Sequence, residues 1–325
     1  MHQTMPLDHY VPQVHLRNFY SPTLGSLMYA IRKSDLKSFT PNAQSVCRIE
    51  DGSTNSYLRE DRAIEEFLRG IEPKYNPALA KLAADNIDRE CVYAIAGFVA
   101  YVLACSPAGM RILSDPLKGA VGEAIGALDS KGELPAPPPE FGGGSLTELL
   151  HKGKMHIEVN PKYPQAIGIA SIVSRTITLG NFKWDVLVNP FNDNPFFTSD
   201  FPIVFERTAD PRILNKIAPL APDLAIRIRP DLSLDRKCAD FSFSGFRHTV
   251  RRLSRPEVMS INRLVVRCAE TTVFFRDNYE WVPKFVEKNA RFRIEPRTQR
   301  IPHGNGMLLW FTQEVCETRS NSSGT

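Results

Sequence analysis

Apolar positions in the first part of the chain recur at helical spacing, whereas those in the second part fall mostly into short runs of β-type character. In "REDRAIEEFLRGIE" the residues Ile64, Phe67, Leu68 and Ile71 follow an i, i+3, i+4, i+7 pattern, which predicts a helix with one buried stripe starting near Arg59. Pro73 and Pro77 interrupt that pattern and are expected to end this helix or open the next, with Asn76 as a cap and Pro77 in a first turn. "RECVYAIAGFVAYVLAC" is apolar nearly all round and predicts the central helix of the first half, ending at Ser106–Pro107. "PLKGAVGEAIGALDSKG" predicts a weaker helix, because Gly119, Gly122 and Gly126 each cost about 1 kcal/mol against alanine.

"SLMYAIRK" (Ser26–Lys33) reads as a strand, and residues 34–57 as a loop with room for one short element. In the second half, "KMHIEV", "FKWDVLVN", "PFFTSDFPIVFER" and "DLAIRIRP" are β-branched or aromatic runs separated by Pro, Asn and Asp, and predict strands. A long helix follows from Arg255 or Pro256, with Val258, Ile261, Val265, Cys268 and Thr272 on one face. The fold class expected is α+β, a helix-rich N-terminal half packed with a mixed, mostly antiparallel sheet from the C-terminal half. "ELPAPPPEFGGGS" is the clearest punctuation. Residues 133–146 therefore read as a linker between a helical region (1–132) and a strand-rich region (147–312), or as a long surface loop of one continuous domain. The tail, 313–325, is expected to be disordered.

Composition narrows the class. Of 325 residues, 42% are hydrophobic and 23% charged, a globular balance. The longest apolar run, Cys91–Cys105, suits a core helix rather than a membrane span, and the chain start lacks the basic and apolar regions of a secretory leader. A cytoplasmic protein without membrane contact is expected. Six scattered cysteines show no C-x-x-C and no zinc-ligand spacing to a histidine. The net charge of +4 is uneven, since residues 201–300 carry 20 Lys and Arg against 12 Asp and Glu. That excess suits a nucleic-acid partner, or else solvates strand and helix faces.

No phosphate-loop, zinc-protease or nucleophile-elbow motif is present, and "GGG" at 142–144 follows prolines rather than a strand. "HGNG" (His303–Gly306) reads as a tight turn into "MLLWF". Three polar clusters stand out. "DHYVPQVHLRNFY" packs His9, Gln13, Arg17 and Asn18 between anchoring Tyr10, Leu16 and Phe19. Glu65 and Glu72, seven residues apart, fall on one helical face, where paired carboxylates suit a divalent cation, an acid/base division of labour or plain solvation. Thr198, Ser199 and Asp200 interrupt an apolar strand pair, as a turn or as the mouth of a cleft.

"HYVPQVHLRNF", "IEEFLRGIE" and "FFTSDFPIVF", in that order, resemble the bacterial family catalogued as domain of unknown function 4238, with weaker matches at "APLAPDLAI" and at the helix carrying Asn262. The resemblance runs from about residue 8 to 275. It marks His9, Tyr10, Pro12, Gln13, Arg17, Asn18 and Phe19, then Glu65 and Glu72, then Ser199, Asp200 and Pro202, then Asn262. It implies no settled activity. The family pattern often has an Arg where this chain has Cys105, which puts that part of any site in doubt.

Together these residues suggest a nuclease-like phosphodiester hydrolase acting on RNA or DNA. His9 is its general acid/base, assisted by Asp200 or Glu65. Gln13, Arg17, Asn18, Ser199 and Asn262 bind the substrate, and Asp200, Glu65 and Glu72 are the ligands if a divalent cation takes part. The opposed expectation is a non-catalytic module for nucleic acid or a small anionic ligand, in which the polar motifs form a structural network.

Overall fold

The computed structural model of the chain describes residues 6–235, 239–304 and 306–318. It begins with β1 (Leu7–His9) and α1 (Gln13–Leu16), which continues as a 3-10 turn to Phe19; β2 (Tyr29–Arg32), β3 (Ser38–Phe39) and β4 (Arg48–Glu50) follow. β2 lies within the expected strand, and two short strands occupy 34–57 where room for one was foreseen.

The helical layer comes next: α2 (Ala63–Ala83), α3 (Arg89–Cys105) and α4 (Pro107–Ser130). The prolines do not end α2. Pro73 and Pro77 are four residues apart and share its exposed face, so the carbonyls they leave without an amide partner lie on the solvent side. The stripe Ile64, Leu68, Ile71, Tyr75, Leu79 and Leu82 runs past them unbroken, and its burial outweighs two missing hydrogen bonds. α3 is capped by Asp88, whose carboxylate accepts from the Cys91 amide at 2.9 Å. Gly97 on α3 lets the Ile71 side chain of α2 pack against it, since a Cβ there would stand 2.4 Å from Ile71 Cδ1 and push that side chain aside. α4 starts at Pro107, well before the expected Pro116. The Ser106 hydroxyl accepts from the Gly109 amide at 3.1 Å, and Pro107 fits the first helical position, where no amide is missed.

Residues 133–145 lie on the surface, with one 3-10 turn (Pro139–Phe141) and Gly142, Gly143 and Gly144 at positive φ. Then come α5 (Leu146–His151), α6 (Lys162–Ala170) and α7 (Ile172–Gly180). "KMHIEV" forms no strand. It takes no regular structure and lies against α4, where Ile157 sits over Gly122. The segment forming α6 and α7 is rich in Gly, Thr and Ile, whose helix propensity is low, and packing on α3 decides its conformation.

The remaining elements are β5 (Lys183–Val188), β6 (Thr198–Ser199), β7 (Val204–Arg207), β8 (Leu214–Ala221), β9 (Leu224–Arg229), β10 (Arg247–Arg252), α8 (Arg255–Cys268), β11 (Thr272–Phe275), α9 (Trp281–Asn289), β12 (Phe292–His303) and β13 (Gly306–Glu317). A five-stranded sheet of order β10-β5-β9-β8-β7 is antiparallel except for the β10–β5 pair. A four-stranded antiparallel sheet, β3-β2-β11-β6, joins the two ends of the chain. The class is α+β, as expected. Two boundaries differ. α8 stops at Cys268, so Thr272 belongs to β11 rather than to a helical face, because "TTVFF" is β-branched and aromatic. The tail is ordered through Glu317 by pairing with β12, and Val315 packs against the core; residues 319–325 lie outside the described residues.

The main core takes residues from both sides of the Pro/Gly segment, among them Ile95, Phe98, Ile226 and Val265. A smaller cluster of Val11, Leu16, Phe19, Met28, Ala43, Cys47 and Phe274 fastens the N-terminal segment to the four-stranded sheet. Cys47, Cys91, Cys105, Cys268 and Cys316 are free thiols, and Cys238 lies outside the described residues. No single helix among the described residues is long and apolar enough to cross a membrane.

Candidate functional site

The N-terminal segment and α2 enclose a cleft of about 570 Å³ lined by Asp8, His9, Gln13, Arg17, Glu65, Arg69 and Glu72, with Ser53 at its edge. Two sequence motifs more than forty residues apart therefore meet here. Extended backbone at β1, paired to β4, sets Asp8 and His9 side by side, with the Asp8 carboxylate accepting from the Ser53 amide at 2.9 Å and from Arg62 at 3.1 Å. Gln13 and Arg17, four apart, lie on one face of the following turns, and the guanidinium donates to Gln13 Oε1 at 3.0 Å. Glu65, Arg69 and Glu72 project from one side of α2, as the seven-residue spacing of the carboxylates requires.

His9 Nε2 lies 3.3 Å from the Gln44 carbonyl, which can only accept, so the neutral ring carries its proton on Nε2 and keeps Nδ1 as the basic nitrogen. Burial holds its pKa below the usual 6.5, and the Arg48 charge acts in the same direction. Desolvation in the cleft raises the Glu72 pKa above its ordinary 4.5, helped by the Glu65 carboxylate and opposed by Arg17. Glu65 itself pairs with Arg62 at 3.2 Å. The cleft thus holds a neutral imidazole, a carboxyl group biased toward its protonated form, and the guanidinium groups of Arg17 and Arg69.

Support comes from the second half of the chain. Lys162 Nζ donates to the carbonyls of Asp51 and Thr54, Gln165 Nε2 donates to Gly52 O at 2.7 Å, and Asn55 Nδ2 donates to Gln165 Oε1 at 3.0 Å. These bonds hold the turn that carries Ser53 to the cleft. Cys105 is buried close to Gln165 and Lys162, and burial pushes its thiol up to about 12. It is inert packing, not a nucleophile.

The other expected site residues are not in this cleft. Asp200 is 3% exposed, and its carboxylate accepts from the amides of Glu270, Thr271 and Thr272 and from the Thr271 hydroxyl. Its lone pairs are saturated by the turn between α8 and β11, so it cannot orient His9 or act as a base there. Lys33 donates to Ala269 O in the same turn and to Phe292 O at the start of β12, and desolvation lowers its pKa to about 8. Ser199 Oγ accepts from the Phe201 amide at 3.1 Å. The Asn262 amide is used on both sides, by Phe197 N at 2.9 Å and Pro195 O at 2.8 Å. Asn18 ties α1 to α2 through Asn76 Oδ1 at 3.1 Å. Among the described residues no group of three or more His, Cys, Asp or Glu is placed to hold a metal ion, and Asp200 does not join Glu65 and Glu72.

The first and third motifs nonetheless meet, together with α2, at a residue the sequence reading passed over. His15 is fully buried, with Nδ1 2.7 Å from the Tyr75 hydroxyl and Nε2 2.7 Å from the Thr198 hydroxyl, and its ring stacks on Phe98 at 4.8 Å. Burial lowers its pKa to about 3, so it is neutral and bonded through both nitrogens. Asp8 and Arg69 were also missed. Arg69 had a legible sign, because it falls one turn after Glu65 and just under one turn before Glu72.

A profile of the family described as protein of unknown function (DUF4238) matches residues 8–278. No curated protein and no solved structure matches the chain. The chain belongs to this family, in agreement with the three motifs that suggested it.

Proposed function

We propose that this member of the family is a phosphodiester hydrolase whose catalytic site is the cleft between the N-terminal segment and α2. The observation that carries this reading is the convergence of His9, Gln13, Arg17, Glu65 and Glu72 from two separate motifs on one concave surface, while the third motif is used internally. In the proposed step His9 Nδ1 takes a proton from water, the oxygen attacks phosphorus, and Glu72 gives its proton to the departing alkoxide. Arg17 and Arg69 hold the non-bridging oxygens, whose charge grows in the transition state. The size of the cleft suits a small diester or the end of a chain. A long nucleic acid lying across the basic stretch 201–300 has less support, because at least eleven of the sixteen arginines there face carboxylates within 4 Å.

His9→Ala is expected to reduce the turnover of a chromogenic phosphodiester, or of short labelled RNA and DNA, by about 100-fold or more. Its long hydrogen bond to Gln44 contributes little, so stability should change by less than about 1 kcal/mol. Hydrolysis that is unaffected in the folded variant would remove His9 from the chemistry. Runs with EDTA and with added Mg²⁺ decide whether a cation takes part.

The pH profile is a separate test. Activity requires His9 neutral and Glu72 protonated together. Their pKa values lie below 6.5 and above 4.5 respectively. The rate should therefore peak on the acid side of neutrality, falling below the optimum as His9 gains a proton and above it as Glu72 loses one. A maximum at alkaline pH rules out this pairing of acid and base.

A further inference from the structure

A second pocket, of about 460 Å³, lies where the start of α8 and one face of α9 meet the turn before β6. Its chemistry is unlike that of the cleft. Asn194, in that turn, is 2% exposed and borders the pocket, yet among the described residues neither its amide nitrogen nor its amide oxygen has a hydrogen-bond partner. The neighbouring amides make the contrast plain. Asn189 Nδ2 donates to the carbonyls of Asn194 and Pro222 while its oxygen accepts from the Phe191 amide, and Asn262 is likewise used at both ends. A buried amide left without partners is costly, and a donor and an acceptor side by side call for a ligand that offers the complementary pair.

The wall beside it is aromatic. Trp281 stacks on Phe197 at 5.6 Å with an interplanar angle of 15°, and Phe285 holds it edge-on, so the indole is fixed and its other surroundings form the pocket. The rim is cationic. Lys284 and Lys288, one turn apart on the exposed side of α9, have no carboxylate within ion-pair distance among the described residues, and no Asp or Glu among them lines the pocket. Arg255 is held in place by Asp193 at 2.9 Å. A bare anion makes no use of the indole or the amide, and an apolar ligand none of the lysines. A nucleotide uses all three, since a base edge matches an asparagine amide, a base face stacks on tryptophan, and a phosphate meets ammonium groups.

We propose that this pocket is a nucleotide-binding site, with the base against Trp281 and facing Asn194 and the phosphate on Lys284 and Lys288. Met259, unbranched and adaptable, is the lining side chain that moves aside to open the amide to the base. The inference is independent of the reading of the cleft, whose residues it does not use.

Titration calorimetry of the full chain with AMP, GMP, CMP and UMP tests it, with inorganic phosphate as control. At least one nucleotide should bind, and more tightly than phosphate. Lys284→Glu with Lys288→Glu, both at exposed positions, should weaken it by about tenfold or more. Asn194→Leu should abolish base preference while leaving the melting temperature unchanged or raised, because an apolar side chain of similar volume removes an unpaired polar group. No heat with any nucleotide at millimolar concentration overturns the proposal, as does binding of phosphate equal to that of every nucleotide. Nucleotide binding that the lysine changes leave intact overturns it too, and that arm stands even if the Asn194 variant fails to fold.

Discussion

Replacing Asp200 with alanine is expected to lower the stability of the fold by about 4 kcal/mol. The carboxylate joins the end of β6 to three successive backbone amides, those of Glu270, Thr271 and Thr272, and to the Thr271 hydroxyl. Truncation leaves the buried Thr272 amide without its acceptor and the part-buried amides of Glu270 and Thr271 without theirs. It also removes the negative charge that favours the protonated form of Lys33, whose own contacts bind Ala269 and Phe292. Burial pushes the Asp200 pKa above its ordinary 3.8 and the hydrogen bonds oppose that shift. The charge is therefore tolerated only because the turn is folded around it. Urea unfolding measures the effect, and a loss below about 1 kcal/mol would mean that the turn does not depend on this clamp. In the same variant the cleft residues keep their places, so a phosphodiesterase assay at a temperature where it remains folded should show near-normal turnover.

His15→Ala is the second large effect, again about 4 kcal/mol, combining the cavity left by a buried ring with two stranded hydroxyls on Tyr75 and Thr198. The residue also carries a pH signature. Its folded pKa of about 3 lies below the ordinary 6.5, so the folded state binds the neutral form and the unfolded state takes the proton first. The stability it confers is complete above pH 6.5 and is lost as pH falls toward 3, at up to about 1.4 kcal/mol per pH unit from this one site. Stability measured by denaturant between those limits should fall more steeply with decreasing pH in the wild type than in the variant, the difference being at most this single-site slope. Equal slopes would mean that His15 is not the group being protonated. Adding Tyr75→Phe and Thr198→Val to His15→Leu should recover part of the loss, because the orphaned hydroxyls go with the ring.

How these residues divide between cleft and core was only partly legible in the chain. Helical periodicity identified α3 residue for residue and placed Glu65 and Glu72 on one face, and the cleft uses that face. Periodicity says which face a side chain occupies, but not whether its polar end is already taken. Asp200 looked available because its partners are backbone amides seventy residues away, which have no sequence signature. His15 looked like one more polar residue of the opening motif, because Tyr75 and Thr198 are ordinary core residues in their own segments. The same limit explains α2: a proline read alone is a breaker, while a proline on the outer face of a well-buried helix is tolerated. The β-type run misled at "KMHIEV" for the converse reason, that a strand needs a pairing partner as well as a composition.

The four-stranded sheet has a further consequence, in the order of events as the chain is made. β2 pairs with β11, Tyr29 opposite Phe275 and Arg32 opposite Thr272, and Phe274 belongs to the small cluster that seats Leu16 and Phe19. Tyr29–Arg32 therefore waits for its partner strand until almost the whole of the family region has been synthesised. Contacts so far apart in sequence close slowly, because loop entropy is lost before they contribute. The N-terminal wall of the cleft, made well before β11, is thus among the last parts to be fixed in place, and a chain arrested before Phe275 presents its opening motif without a seat.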